Sequence, residues 1–254
     1  EGPMGKLDNK IALVTGSSSG IGKAVALAFA KEGADLAINY PNDTQADNAA
    51  AVRGDIEALG RRAIAIQADV SKETDVQQLI DTTMQAYGRI DVLVNNAGIA
   101  TAATVGDMPV AMWDQMLAVN LRSVFLCTRL VLPIMYEQGY GKIINTASQL
   151  AYLGSPGLSH YCAAKAAIIA FTRSLSREIG TRNVNANCVG PGATQTPILD
   201  GISKEALEAI RGSIPKGRLA TVDEIAPTYV FLASDESSHY VGQCLSPNGG
   251  DIML

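Results

Sequence analysis

The sequence predicts an α/β protein built as one doubly wound parallel sheet with helices on both faces. Three observations carry this. Short apolar runs alternate with longer amphipathic stretches along the whole chain, the pattern of repeated βαβ units. A glycine-rich turn, residues 15–22, joins the first apolar run to the first amphipathic stretch. The chain has 254 residues, 47% of them hydrophobic, which suits one sizeable core and a single α/β domain. Residues 5–254 are read as that domain. Residues 1–3, which precede Met4, are read as a cloning remnant.

Residues 11–15 form the first predicted strand. Ile21, Val25, Ala28 and Phe29 then follow helical spacing, and Gly33 ends that helix. Residues 35–40 give the second strand, and a polar, alanine-rich helix over 45–59 stops at Gly60. The third strand spans 63–68, the next helix 74–87 with Gly88 as its stop, and the fourth strand 91–95. A long helix over 111–138 contains Pro133, which should kink it or start a new turn. The fifth strand is 142–147, followed by a helix over 161–179 ended by Gly180, and the sixth strand is 183–189. Helices over 203–211 and 223–233 precede a closing strand at 243–246. Right-handed crossovers turn this order into a doubly wound sheet. The least regular stretch, 191–203, is rich in Gly, Pro and Thr, and a loop of that length is usually functional or mobile.

Composition narrows the function classes. The net charge is −5 with no basic patch, so nucleic acid is not an expected partner. No uninterrupted apolar run approaches the roughly 18–20 residues of a membrane span. The first apolar segment runs straight into the glycine turn, so no secretion signal is read there. Cys127, Cys162, Cys188 and Cys244 form no C-x-x-C pair and read as reduced thiols of a cytoplasmic protein. The two histidines are far apart, and no metal site is expected.

The glycine turn has the spacing G-x-x-x-G-x-G. Gly16 allows a tight turn out of the first strand, Gly20 lets the backbone approach a pyrophosphate, and Gly22 lets the helix lie close to the sheet. Ser18, Ser19 and Ile21 complete the turn, and the helix start offers free N–H groups to an anion. A nicotinamide dinucleotide is the expected cofactor. An acid at the end of the second strand would bind the ribose hydroxyls of NAD. Here that position is Tyr40, which tilts the reading to NADP(H), with NAD(H) as the alternative. The plain alternative for Tyr40 is a ring that packs beside the adenine or on the loop.

Tyr161 and Lys165 stand four residues apart near a helix start, on one face, with Ser148 thirteen residues before Tyr161 at the end of a strand. A free tyrosine titrates near 10, and a neighbouring ammonium favours the phenolate. Such a phenol can protonate a carbonyl oxygen as hydride arrives, or take the alcohol proton in reverse. Ser148 would hydrogen-bond the same oxygen. The plain alternative is a surface Tyr/Lys pair worth a few tenths of a kcal/mol. Asn120 interrupts a largely apolar stretch, 116–126, where an amide is costly without partners; a core asparagine satisfied by backbone is the competing reading.

These residues together resemble the short-chain dehydrogenase/reductase family, over nearly the whole chain. Residues 15–22 match its T-G-x-x-x-G-x-G, and Asp69-Val70 its adenine-contacting pair. Asn95-Asn96-Ala97-Gly98 matches its N-N-A-G motif, and Asn120, Ser148, Tyr161 and Lys165 its catalytic tetrad. Pro191-Gly192 matches the turn near the nicotinamide, with Thr194 and Thr196 beyond it. The resemblance implies a Rossmann-like fold and a homotetramer or dimer, joined through the helices bearing Asn120 and Tyr161. It implies Tyr161 as acid/base, Lys165 on the nicotinamide ribose, Ser148 on the carbonyl, and Asn120 holding a water in a proton relay.

The nearest branches are 3-oxoacyl-carrier-protein reductases and sugar or polyol dehydrogenases. Carrier-protein reductases often carry basic residues after the long helix. Here that segment is Tyr136-Glu137-Gln138-Gly139-Tyr140, and its charge disfavours an acidic carrier, although Arg173 and Arg182 could serve. The expected pocket wall, residues 149–158 and 190–199, has no charged side chain. The first expectation is therefore an NAD(P)-dependent oxidoreductase of a small neutral ketone or secondary alcohol, with sugars and polyols among the candidates. The alternative is a 3-oxoacyl thioester reductase. A cofactor-free lyase of the halohydrin dehalogenase type is a distant alternative; it would replace the lysine and lose the glycine turn. A dinucleotide-sensing regulator would lack the tyrosine or the lysine, and both are present.

Overall fold

A computed structural model of the chain describes residues 5–253; the remnant assigned to residues 1–3 lies outside them. The strands are β1 (Ile11–Val14), β2 (Asp35–Tyr40), β3 (Ala63–Gln67), β4 (Val92–Asn95), β5 (Gly141–Thr146), β6 (Val184–Val189) and β7 (Cys244–Leu245). They form one seven-stranded sheet in the order β3-β2-β1-β4-β5-β6-β7, with every pairing parallel. β1, β4, β5 and β6 are buried along their whole length, as strands covered on both faces must be. The predicted doubly wound sheet is what the chain forms.

The two faces divide by the period-2 alternation of a strand. Ala12, Val14, Leu36, Ile38, Val92 and Val94 face one core. There they meet α1 (Gly20–Lys31), α2 (Ala46–Ala58) and α9 (Val222–Ala233), through residues such as Phe29, Ile56 and Tyr229. Leu13, Ala37, Leu93 and Ile143 face the other core. Its helices are α3 (Glu73–Tyr87), α5 (Ser123–Gln138) and α7 (Ser159–Ile179). The strand order reverses between β1 and β4, and ligands of such sheets bind in the crevice outside the carboxyl ends at that point.

Asn39 ties three strands together beside this crevice. Its Oδ1 accepts from the Gly16 amide at 3.1 Å, and its Nδ2 donates to the Ala68 and Ile66 carbonyls at 3.0 and 3.3 Å. The residue is buried, so each of these bonds replaces one that water would otherwise make.

Three local features bear on the expectations. The long helix is not interrupted at Pro133: α5 continues through it. The change of pitch lies earlier, where α4 (Val110–Leu117) passes into a π turn, Ala118–Arg122, before α5 begins. A proline loses one helical bond, and tertiary packing can carry that loss. Second, the span Val110–Gln138 is long and apolar enough, by length and composition, to cross a membrane, although Asp114, Asn120, Arg122 and Arg129 interrupt it and no unbroken apolar run approaches that length. Here its apolar side packs against the sheet through Val124, Leu126, Val131 and Met135. Third, a one-turn helix, α6 (Leu150–Leu153), follows β5 where only loop was expected.

Asn39→Ala removes the partner of the Gly16 amide and leaves buried carbonyls unpaired. It is expected to lower the free energy of unfolding by about 2–4 kcal/mol, read from urea denaturation. A midpoint equal to that of the unaltered protein would show that the side chain is not a tie.

Candidate active site

The carboxyl ends of all strands lie on one edge of the sheet, and the loops leaving them build the site. After β1 the chain turns at Gly16, whose φ of +61° lies in the left-handed region that side chains avoid. A Cβ on Gly16 would sit 2.8 Å from the Ala97 Cα, and one on Gly22 would sit 2.4 Å from the Gly16 carbonyl oxygen. Both glycines are therefore demanded by close backbone approach. Ser19, at the start of α1, makes no side-chain cap bond, and the first turn of α1 holds no acid. Its amide groups, including that of Ile21, are available to an anion at the positive end of the helix. Ser18 is buried and its hydroxyl meets Gln45 Oε1 at 3.2 Å.

The segment after β6 folds over this turn. A Cβ on Gly20 would lie 3.5 Å from Thr196 Cγ2, so the irregular stretch singled out in the sequence roofs the glycine loop. Thr194 is buried and donates to the Gly192 carbonyl at 2.8 Å, which holds the Pro191-Gly192 turn. The N-N-A-G segment clamps the other side. Asn96 Nδ2 donates to the Thr15 and Gly16 carbonyls at 3.0 and 3.1 Å, and Ala97 N donates to Thr15 Oγ1 at 3.1 Å. The Asn96 side chain thus holds the glycine turn in shape.

Tyr40 ends β2 and is partly buried. Asn42 Oδ1 accepts from the Thr44 amide at 3.1 Å and shapes the turn that follows. Asp69 Oδ1 accepts from the Ser71 hydroxyl at 2.7 Å and amide at 3.1 Å, with Lys72 beside it at 3.4 Å. Burial opposes its charge, but these partners hold the carboxyl below its ordinary range. Val70 is buried next to it.

Ser148, Tyr161 and Lys165 come together as the spacing predicted. Ser148 follows β5 and is buried; its Oγ accepts from the Leu150 amide at 3.1 Å, so α6 aims the hydroxyl. Tyr161 lies in the first turn of α7, where the Ser148 hydroxyl is near enough to influence its phenol. Lys165 is buried one turn on; its Nζ donates to the Thr146 carbonyl at 2.8 Å and lies 5.7 Å from the Tyr161 ring centre. Burial lowers the Lys165 pKa to about 8. Burial raises that of Tyr161, and the Ser148 hydrogen bond works against the rise. The net shift is thus opposite to the expected lowering, because burial of the phenol is the largest influence on it.

Asn120 sits in the middle of the π turn, fully buried. Its Oδ1 accepts from the Ile99 amide at 2.8 Å and its Nδ2 donates to the Ile99 carbonyl at 2.9 Å. The backbone-satisfied reading holds for this side chain. It also borders the site: a Cβ on Gly98 would be 2.6 Å from Asn120 Oδ1 and 3.6 Å from Lys165 Nζ.

Two contacts were not legible in the sequence. His160 Nε2 meets Thr101 Oγ1 at 3.0 Å and fastens the segment after β4 to the start of α7. Gln149 Nε2 donates to Asp251 Oδ2 at 2.6 Å, across 102 residues of sequence. The pocket wall that looked free of charge therefore has a carboxylate against it. Among the described residues no His, Cys, Asp and Glu cluster could hold a metal.

A glycine cradle that a Cβ would fill, an uncapped helix start and a half-buried phenol beside a buried hydroxyl and a buried ammonium fit a nicotinamide dinucleotide and hydride transfer at a carbon–oxygen bond. The comparisons agree. The family described as enoyl-(acyl carrier protein) reductase matches residues 16–251. A 3-oxoacyl-(acyl-carrier-protein) reductase of Synechocystis is 41% identical, over 99% of this chain and 100% of its own. A hydroxy(phenyl)methylsuccinyl-CoA dehydrogenase subunit of Thauera aromatica is 39% identical over 98% of each. The solved structure of a short-chain alcohol dehydrogenase from Sinorhizobium meliloti superposes with a TM-score of 0.93 at 31% identity, covering 98% of both chains. The chain belongs to the short-chain dehydrogenase/reductase family, whose members are NAD(P)-dependent oxidoreductases acting on C=O and CH–OH groups.

The charge on Lys165 is lost as pH rises through about 8. Since kcat/KM reports the groups of the free enzyme, carbonyl reduction is expected to decline above that pH. A profile that stays level into the range of an ordinary lysine would show that the ammonium is held charged by something other than its surroundings here.

Proposed function

We propose that the protein reduces the oxo group of a 3-oxoacyl thioester to a hydroxyl, with NADPH as the hydride source. The observation that carries the reading is the chemistry shared by similar proteins. One is named for a 3-oxoacyl thioester of a carrier protein, and another for a coenzyme A thioester bearing a secondary hydroxyl. A reductase of the first kind from Thermotoga maritima is 38% identical over 98% of this chain. The free ketone, sugar or polyol expected first has no counterpart in these names, and the thioester alternative takes its place.

The chain's residues divide the work. The Tyr161 hydroxyl gives its proton to the ketone oxygen, and Ser148 donates a hydrogen bond to that oxygen and orients it. Lys165, fixed on the Thr146 carbonyl, stabilises the phenolate left behind. Asn120, across Gly98 from Lys165, holds a water for returning the proton. A bound nicotinamide dinucleotide supplies the hydride. The Gly16, Gly20 and Gly22 turn holds its pyrophosphate, Asp69 and Val70 its adenine side, and Ala97, Gly98, Pro191, Gly192, Thr194 and Thr196 its nicotinamide side. NADPH is favoured over NADH because Tyr40 offers no carboxylate to repel a 2′-phosphate. Copies of the chain associate through an apolar groove lined by Leu117, Leu121, Phe125 and Phe171, where Phe125 is exposed on a helix that is otherwise rooted in the core.

The test is consumption of NADPH and of NADH, side by side, with 3-oxobutanoyl-coenzyme A and a carrier-linked equivalent. Turnover with NADPH preferred is expected, and Tyr161→Phe should lower kcat by about 10²–10⁴-fold. Activity confined to polyol oxidation, or a Tyr161→Phe variant with near-normal kcat, would sink the reading.

A further inference from the structure

Gln149 is built into the site in a way that proton transfer does not explain. It directly follows Ser148, and its side chain is 5% exposed. Its main-chain N–H donates to the Pro191 carbonyl at 3.1 Å, so the residue bridges the ends of β5 and β6. Its Nε2 donates to Asp251 Oδ2 at 2.6 Å. A carboxylate only accepts, so this bond determines which end of the amide faces Asp251. The other end, Oε1, is then buried and has no hydrogen-bond partner among the described residues.

Neighbouring donors are already committed. Asn248 Nδ2 donates to Ser246 Oγ at 3.1 Å and to the Ile252 carbonyl at 2.8 Å. The Ser246 hydroxyl donates to the Gly190 carbonyl at 2.6 Å, and the Gly192 amide to the Pro247 carbonyl at 3.0 Å. A Cβ on Gly192 would come within 3.1 Å of Gln149 Oε1, so the oxygen stands against the glycine of the turn, where a larger residue would crowd it. Buried acceptors without partners are rare and costly. This one is also strengthened, because a carboxylate pulling on the N–H end of an amide polarises its oxygen.

We infer that Gln149, clamped by Asp251, is a specificity-determining residue whose Oε1 accepts a hydrogen bond from an O–H or N–H of the substrate, close to the carbonyl that Ser148 engages. The inference rests on the ketone-reducing reading above. The Asp251 carboxylate behind the amide adds a preference for neutral donors over anions. Two parts of a 3-oxoacyl thioester could carry the donor: a hydroxyl on the acyl chain, or an amide N–H on the thioester arm.

Three probes separate these sources. Ethyl 3-oxobutanoate has no donor, its 4-hydroxy derivative has an O–H, and the N-acetylcysteamine thioester of 3-oxobutanoate has an N–H. The readout is the kcat/KM of each donor-bearing probe relative to ethyl 3-oxobutanoate, together with NADPH binding by fluorescence. A pocket that hydrogen-bonds its substrate discriminates strongly against an analogue lacking the group. Gln149→Leu should lower the ratio about tenfold or more for one donor-bearing probe, and the probe that responds identifies the donor. Asp251→Asn, which frees the Gln149 amide to turn round, should lower the same ratio by a smaller factor. If Gln149→Leu lowers all three rates together and leaves both ratios where they were, the residue is only structural and the inference fails. It fails also if the ratios hold while NADPH binding weakens, since the acceptor would then serve the cofactor. A wild-type protein inactive on all three probes would overturn the ketone-reducing reading and the inference with it.

Discussion

The seam between β1 and β4 is the constraint on which the site depends. At that seam the sheet changes winding direction, so the connections depart to opposite faces and leave the carboxyl ends of the two strands uncovered. The segment after β6 reaches over the glycine turn through Thr196, and the backbone at the seam is held by hydrogen bonds. Thr15 Oγ1 accepts from the Asn96 and Ala97 amides, and the Asn96 side chain closes on the Thr15 and Gly16 carbonyls. Asn39 holds Gly16 from the β2 side. The glycines then follow from distance: with the two turns this close, there is no room for a Cβ on Gly16 or Gly22.

The same economy governs the chemical end. Lys165 is buried and finds its partner in a backbone carbonyl, that of Thr146. A neutral partner does not offset the loss of water as a carboxylate would, so the lysine pKa falls. The ammonium thus sits beside Tyr161 without being tied to any counter-ion, which leaves it able to respond to charge appearing on the phenol. The π turn contributes the neighbouring amide. An extra residue per turn at Ala118–Arg122 rotates Asn120 out of the ordinary helical register, a device common at functional sites, and brings its Oδ1 to the edge of Gly98.

The helix Val110–Gln138 shows why composition alone misleads. By length and apolarity it would suit a lipid bilayer. Its apolar residues instead divide between the sheet, through Leu126, Val131 and Met135, and an open strip that includes Phe125. The first set is what any core helix needs; the second belongs to the face assigned to self-association.

Much of this protein could be read from the order of its residues. The strands β1 and β4 were legible because both-face burial makes them continuous or near-continuous apolar runs, β5 and β6 from shorter apolar stretches between polar residues, and the helices because their faces repeat at 3.6 residues. Gly16, Gly20 and Gly22 and the pair Tyr161 and Lys165 were legible because their chemistry depends on short spacings along one turn or one helix face. Tertiary structure decided what spacing cannot encode. The direction of the Tyr161 shift depends on burial among distant segments. The π turn, rather than Pro133, breaks the helix pitch because packing against the sheet selects it. The meeting of Gln149 with Asp251, 102 residues away, depends on where the chain's last turn docks. Short-range patterns record backbone geometry and local chemistry; desolvation and long-range pairing exist only once the sheet has brought its edges together.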